Sequence, residues 1–275
     1  MRSEERRTVY HNPGGDASVN PYFQNESVTL YHGDCFDILP TFAPGTFDAA
    51  ITDPPYALGE FKYDVPIDAG SLHAALRTLC KRNAARVFFS NMRLAAKLVN
   101  ADSEDFRYDL VWDRIRNSSP ADSRRRPLRC HENILVFYSR LPTYNPQMWA
   151  DKPYTMSPAS RVAGRRFSTL GEHAPVSGRT ERYPRSVFTI SASYDSKGFG
   201  GYEFGNHPTQ KPVAAYEWLI RTYTNEAENI LDPFAGSGTA GVAAMRTGRR
   251  AVLIELEEKY CEMAAKRLES EATER

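Results

Sequence analysis

Two short motifs in this chain carry residue types that can do chemistry together. Asp53-Pro54-Pro55-Tyr56 follows the apolar run Phe47 to Ile51, and Asp232-Pro233-Phe234-Ala235-Gly236-Ser237-Gly238-Thr239 follows Asn229-Ile230-Leu231. In the first motif two consecutive prolines freeze the backbone and remove two N–H donors, leaving carbonyls and one carboxylate as acceptors. Such a loop can grip an amino group with two hydrogen bonds. The carboxylate polarises an N–H as its nitrogen attacks, and Tyr56 offers a flat face on which a planar base can stack. Standing alone, the motif reads equally well as a rigid turn with a surface tyrosine.

In the second motif Gly236 and Gly238 sit where a strand turns into a helix. The backbone can approach a ligand closely there, and the helix N-terminus offers free N–H groups to a carboxylate. The third glycine of the dinucleotide fingerprint is missing, and Glu255 ends the next strand, 17 residues beyond Gly238, where an acid can accept both ribose hydroxyls. A nucleoside without a pyrophosphate but with an amino-acid tail suits this turn better than NAD. By itself the glycine pair is a weak signal, since tight strand-to-helix turns also use glycine for packing. Asp232, Phe234, Ser237 and Thr239 complete this candidate cofactor turn.

Two further positions have two readings each. Asp34, in Tyr31-His32-Gly33-Asp34, either accepts from an adenine amino group or caps a helix or turn. Lys211, in His207-Pro208-Thr209-Gln210-Lys211-Pro212, either pairs with a cofactor carboxylate or is a solvated lysine leading into a helix. In Arg129-Cys130-His131-Glu132 no second histidine lies at helical spacing, which argues for a positioning role rather than a metal site.

The elements that must hold these residues alternate. Strands are expected at Val28 to Tyr31, Phe47 to Ile51, Arg86 to Ser90, Tyr108 to Trp112, Asn133 to Tyr138, Asn229 to Leu231 and Ala251 to Ile254. Helices are expected at Cys35 to Leu39, Ser71 to Cys80 with Ser71 as its cap, Arg93 to Val99, Val213 to Tyr223, Thr239 to Thr247 and Leu256 to Leu268. This is α/β grammar, most simply one parallel sheet with helices on both faces. Both motifs end strands, and in open α/β sheets ligands bind outside the carboxyl ends of strands, so the two can share one crevice.

Residues 1–26 are polar and aperiodic and read as an N-terminal arm without a core role. Residues 139–206 hold seven glycines and ten aromatics without helix or strand period, too long a stretch for an ordinary loop, so an inserted recognition region is expected there. It divides 27–138 from 207–275. The net charge of +1 hides an uneven distribution. Residues 112–131 hold six arginines against two aspartates, so Arg114, Arg124, Arg125, Arg126 and Arg129 are candidate contacts to a polyanion.

At 275 residues and 41% hydrophobic content the chain can bury a sizeable core. It has no run of 18 apolar residues and no apolar signal segment, so a soluble protein of the cytoplasm with no membrane partner is expected. The four cysteines are widely spaced and read as free thiols, with no metal site.

These motifs in this order resemble the beta-class amino methyltransferases of DNA, in which the DPPY motif precedes the glycine motif. The resemblance spans residues 28–270 apart from the inserted region. It implies a Rossmann-like methyltransferase sheet with circularly permuted motif order. It also implies transfer of a methyl group from S-adenosylmethionine to an exocyclic amine of a flipped-out base in double-stranded DNA. By the same resemblance Asp53, Pro54, Pro55 and Tyr56 become the catalytic loop, and Asp232, Phe234, Gly236, Ser237, Gly238 and Thr239 the cofactor turn. Glu255 becomes the ribose acceptor, Asp34 an adenine contact and Lys211 a neighbour of the methionine end. The DPPY form is associated with N6-adenine, and a serine in place of Asp53 with N4-cytosine. The alternatives are N4-cytosine, an RNA base, or a catalytically silent nucleic-acid-binding protein of the same fold. A cognate restriction endonuclease and a second copy of the chain are further candidate partners.

Overall fold

The computed structural model describes residues 20–59, 66–118, 122–156, 176–190 and 210–274. The chain forms two compact units, 1–145 with 186–275, and 146–185. In the first unit, in chain order, lie β1 (Phe23–Gln24), β2 (Val28–His32), α1 (Cys35–Ile38), β3 (Phe47–Thr52), α2 (Ala69–Leu79), β4 (Cys80–Ser90), α3 (Met92–Ala101), β5 (Phe106–Ser118) and β6 (Arg129–Phe137). The second unit holds an antiparallel pair, β7 (Trp149–Met156) and β8 (Val176–Arg182). The first unit resumes with β9 (Val187–Thr189), α4 (Val213–Tyr223), β10 (Asn229–Asp232), α5 (Thr239–Arg246), β11 (Arg250–Glu255) and α6 (Glu258–Thr273). None of the described helices is long and apolar enough to cross a membrane.

The main sheet has the strand order β1-β2-β11-β10-β3-β4-β6-β5-β9. The pairings make it mostly parallel: only β1 and β6 run against the other strands. Central strands buried on both faces read as near-continuous apolar runs, and β3 shows why. Ala49 and Ile51 enter the core beneath α4, α5 and α6, while Phe47 and Ala50 enter the core beneath α1, α2 and α3. Chain order reverses between β3 and β10, which places the switch point of the sheet between the two motif-bearing strands.

Several expectations need correcting. Helix α2 is capped by Asp68, whose carboxylate accepts from the Gly70 N–H, while Ser71 donates to the same carboxylate. The end of the supposed arm has a core role, because Tyr22 is buried and β1 pairs with β2; residues 1–19 lie outside the described residues. Within 139–206, β7, β8 and β9 form strands although their sequences show no alternation. Strand β9 joins β5 at the edge of the main sheet, and Phe188 stacks on Trp218 with centroids 4.6 Å apart. Residues 157–175 and 191–206 lie outside the described residues.

Candidate active site

The carboxyl ends of β3 and β10 are clipped together by one hydrogen bond, in which Thr52 Oγ1 donates to Asp232 Oδ1 at 2.6 Å. Each strand then gives its motif loop to a common cavity of about 360 Å³. Asp53, Pro54, Pro55 and Tyr56 line it together with Asp34 and Lys211. Phe234, Gly236, Ser237, Thr239 and Glu255 line it from the glycine side.

Lys211 is buried, and its Nζ lies 2.5 Å from Asp53 Oδ2 and 3.4 Å from Glu132 Oε2. It is not the solvated lysine of one reading, because its charge is taken up by the DPPY acid and a second acid from β6. Glu132 also accepts from the Tyr56 hydroxyl at 2.9 Å and from Arg114 Nη1 at 3.0 Å. Two acids and two cations thus neutralise one another beneath the DPPY loop, with the ammonium 5.1 Å from the Tyr56 ring centroid.

Burial raises the Asp53 carboxyl above the usual carboxylate range, with Lys211 opposing the rise and the charge of Glu132 adding to it. Burial works in the same direction on Glu132, but Lys211 and Arg114 outweigh it and hold this carboxyl low. Two atoms of the network, Asp53 Oδ1 and Arg114 Nε, are buried without a hydrogen-bond partner, and of these two residues Asp53 lines the cavity. An orphaned buried acceptor is costly, and it marks where a donor from outside the protein fits. Just past Tyr56, Ala57 has φ +54°, a left-handed conformation that costs a residue with a Cβ about 1 kcal/mol and places strain at the exit of the loop.

On the other side Gly236, at φ +52°, turns the chain so that its N–H donates to Glu255 Oε2 at 2.7 Å. The second Glu255 oxygen accepts from the Glu257 N–H at 2.9 Å. Each carboxylate oxygen has two lone pairs, so both retain capacity toward the cavity. Gly238 is there for packing rather than ligand approach, since it does not line the cavity and a Cβ on it would meet the Ala264 Cβ at 2.9 Å.

Asp232 also sits outside the cavity wall. It is buried, accepting from Thr52, from the Phe234 N–H at 3.1 Å and from Tyr216 at 3.3 Å. Its work is to join the strand ends and shape the turn. Burial holds its carboxyl up at about 7. The folded protein therefore favours the protonated acid more than the unfolded chain does. That contribution to stability is full below the unfolded value of 3.8 and is lost as pH rises through about 7. Relative to Asp232→Asn, the parent protein is expected to lose thermal stability between about pH 4 and 7; parallel curves would place the titration elsewhere.

Asp34 caps α1, accepting from the Phe36 N–H at 2.8 Å, and also lines the cavity. The arginines separate. Arg114 is turned inward onto Glu132 and does not present a free guanidinium, and Arg129 bonds the His131 carbonyl at 3.0 Å. Arg124, Arg125 and Arg126 are exposed, and Arg126 pairs with Asp122.

Two residues escaped sequence reasoning. Gln210 bridges the glycine turn, its amide nitrogen donating to Ser237 Oγ at 2.8 Å while its oxygen accepts from Arg267 at 3.2 Å. Arg267 is buried on α6 and also donates to Thr239 Oγ1 at 3.0 Å. A signal existed for it, since Arg267 falls at helical spacing on the face of Tyr260, Ala264 and Leu268, where a cation requires a buried partner.

The family model of N6/N4 methyltransferases, described as DNA methylase, matches residues 47–266. The Type II methyltransferase M2.LlaDCHI of Lactococcus lactis subsp. cremoris is 28% identical over 285 residues, covering 94% of this chain and 96% of that protein. The DNA adenine methyltransferase YhdJ of Escherichia coli is 27% identical over 266 residues, covering 90% and 84%. Among solved structures, the M1.HpyAVI–SAM complex superposes with a TM-score of 0.59 at 26% identity, covering 88% of this chain and 98% of that one. The cytosine-N4-specific PvuII DNA methyltransferase gives 0.64 at 17% identity over 92% and 93%, a likeness of fold alone. With most of its length inside the family match, and with both motif loops meeting at the switch point of the sheet, this chain belongs to the DNA methylase family of N6/N4 amino methyltransferases.

Proposed function

We propose that the protein transfers a methyl group from S-adenosylmethionine to the N6 amine of adenine in double-stranded DNA. The observation that carries this reading is the Asp53 Oδ1 atom, a buried acceptor without a partner, set on a loop stiffened by two prolines and opening on a cavity of small-molecule size.

The residues fit the cofactor. Glu255 retains acceptor capacity at the position that suits ribose hydroxyls, Phe234 supplies an apolar wall, and Asp34 lines the same pocket. Ser237 and Thr239 stand at the start of α5, where the N–H groups of a helix suit a carboxylate. S-adenosylmethionine, when bound, supplies a sulfonium methyl that an amine nitrogen can take directly. Asp53 Oδ1 and the Pro54 carbonyl accept the two amine hydrogens and aim the nitrogen lone pair, and this alignment supplies much of the acceleration. Burial works against the ionised form of Asp53, and Lys211 favours it. The base must leave the duplex to reach this loop, and Tyr56 repays part of an unstacking cost of a few kcal/mol.

Asp53 supports adenine over cytosine, as does likeness to a relative named for adenine. The test is incubation with mixed-sequence duplex DNA and methyl-labelled S-adenosylmethionine, followed by digestion to nucleosides. Label in N6-methyladenine is expected. Label in N4-methylcytosine would overturn the base assignment, and no label in DNA would overturn the reading.

We assign target reading to the basic, aromatic-rich stretch 139–206 and phosphate contacts to the exposed Arg124 and Arg125. Because Arg126 is already paired, Arg124→Ala with Arg125→Ala is expected to reduce the slope of log K against log salt by roughly 2, at about 0.9 per phosphate contact. An unchanged slope would move the contacts elsewhere.

A further inference from the structure

We propose that Glu132 is the positioning residue of the catalytic loop: it takes the Tyr56 hydroxyl proton and shares the Lys211 ammonium with Asp53, so that Asp53 Oδ1 stays open for the target amine. The inference rests on the reading of the site given above and assigns a role to a residue outside both motifs.

Three side-chain donors lie under the loop, and two acids compete for them. Lys211 spends one N–H on Asp53 Oδ2 at 2.5 Å and points toward Glu132 Oε2 at 3.4 Å. The Tyr56 hydroxyl donates to Glu132 Oε2 at 2.9 Å, with Asp53 as the second acid acting on it. Arg114 takes the other oxygen, Oε1, at 3.0 Å. The two oxygens of Glu132 therefore do different work. Oε1 is neutralised by Arg114, which lets an acid stay charged in a buried place, and Oε2 gathers the two donors nearest the loop.

Without Oε2, the Tyr56 hydroxyl and the second Lys211 proton have one carboxylate left to satisfy, and its open atom is Asp53 Oδ1. A buried donor seeks a partner at a cost of leaving it unmade of about 1–3 kcal/mol, so that atom would be taken. The amine would then lose its acceptor although every residue of the DPPY motif remained. Placement on β6 makes the arrangement rigid. Glu132 pairs across the ladder with Trp112, two residues from Arg114 on β5, and it is buried like the strand around it.

The test compares Glu132→Gln with the parent protein. Glutamine keeps the shape but has a single acceptor oxygen and no charge. The expected result is a fall in kcat of about 10²-fold, as for misplaced reacting groups, with the cofactor Kd within about twofold of the parent. The acid limb of the pH–rate profile is expected to move to lower pH, because the charge of Glu132 is one of the influences that raise the Asp53 carboxyl. The other groups acting on Asp53 are Lys211 and Tyr56, with Tyr216 on α4 and Asp232 on β10 nearby, and Arg114 acts on Glu132; all are unchanged in this variant. A merely structural role would lower the folded fraction and leave the limb in place.

Tyr56→Phe forms the second arm, because it unpairs no charge. It removes the hydroxyl that Glu132 holds, and kcat is expected to fall about tenfold at unchanged cofactor Kd, the size of one hydrogen bond to a charged group. In the Tyr56→Phe background Glu132→Gln is expected to cost less than it does alone. Additive losses, an unmoved acid limb, or a Tyr56→Phe protein as fast as the parent would each overturn the proposal while the parent still labels DNA. A parent protein that labels no DNA would instead remove the reading of the site, and this inference with it.

Discussion

Replacing Asp53 with alanine is expected to slow methyl transfer by about 10²- to 10³-fold, the loss typical when one preorganised polar partner of a reacting group is removed. Cofactor binding is expected to survive almost unchanged, because the residues fitted to the nucleoside stand on the other side of the cavity, on the β10–α5 turn and at the end of β11. The fold is expected to survive as well, since Lys211 keeps Glu132 as a partner. Single-turnover transfer of labelled methyl beside an equilibrium titration with S-adenosylmethionine separates the two effects. Equal loss of binding and transfer would show that Asp53 acts on the cofactor rather than on the amine.

The second large effect concerns stability and lies on the α2–α3 side of the sheet. Arg86, on β4, is buried and donates to Asp102 at 3.1 Å and to Asp105 at 2.5 Å. Arg77 reaches both acids from a half-exposed position, and Ser139 donates to Asp105 at 2.7 Å. His73 lies 3.4 Å from Asp102, but burial lowers its pKa to about 4, so it supplies no charge near neutral pH. Arg86→Met would therefore leave two largely buried carboxylates with the half-exposed Arg77 and, on Asp105 at 3.9 Å, Arg107. Breaking a buried pair by removing one partner costs about 3–5 kcal/mol, which in a domain of this size lowers Tm by roughly 10 °C. Adding Asp102→Asn to Arg86→Met is expected to recover part of the loss, because it removes a stranded charge. A midpoint within about 2 °C of the parent, less than 1 kcal/mol, would show that Arg77 and Arg107 suffice.

Much of this protein was legible before any fold was known. The apolar runs before Asp53 and Asp232 are strands because both faces of a central parallel strand are buried, and the glycine turn and the helix from Val213 follow from local chemistry. The loss of two N–H donors from the DPPY loop is likewise a property of proline and follows from four letters.

The network beneath that loop was not legible. Lys211 and Glu132 meet Asp53 and Tyr56 only because β6 enters the sheet beside β4, and because the segment before α4 closes over the switch point. Arg114 looks like one of six arginines in a basic stretch, and only the strand register turns it inward while leaving Arg124 and Arg125 in solvent. Gly238 and Asp232 carry a ligand motif in sequence but serve packing and strand joining in the fold, since the space each faces is filled by Ala264, Thr52 and Tyr216. By itself the sequence determined the residue types, the alternation of elements and the family chemistry, all of which are local. Tertiary structure alone decided which charges neutralise one another and which single oxygen is left open, because electrostatics and burial depend on neighbours distant in the chain.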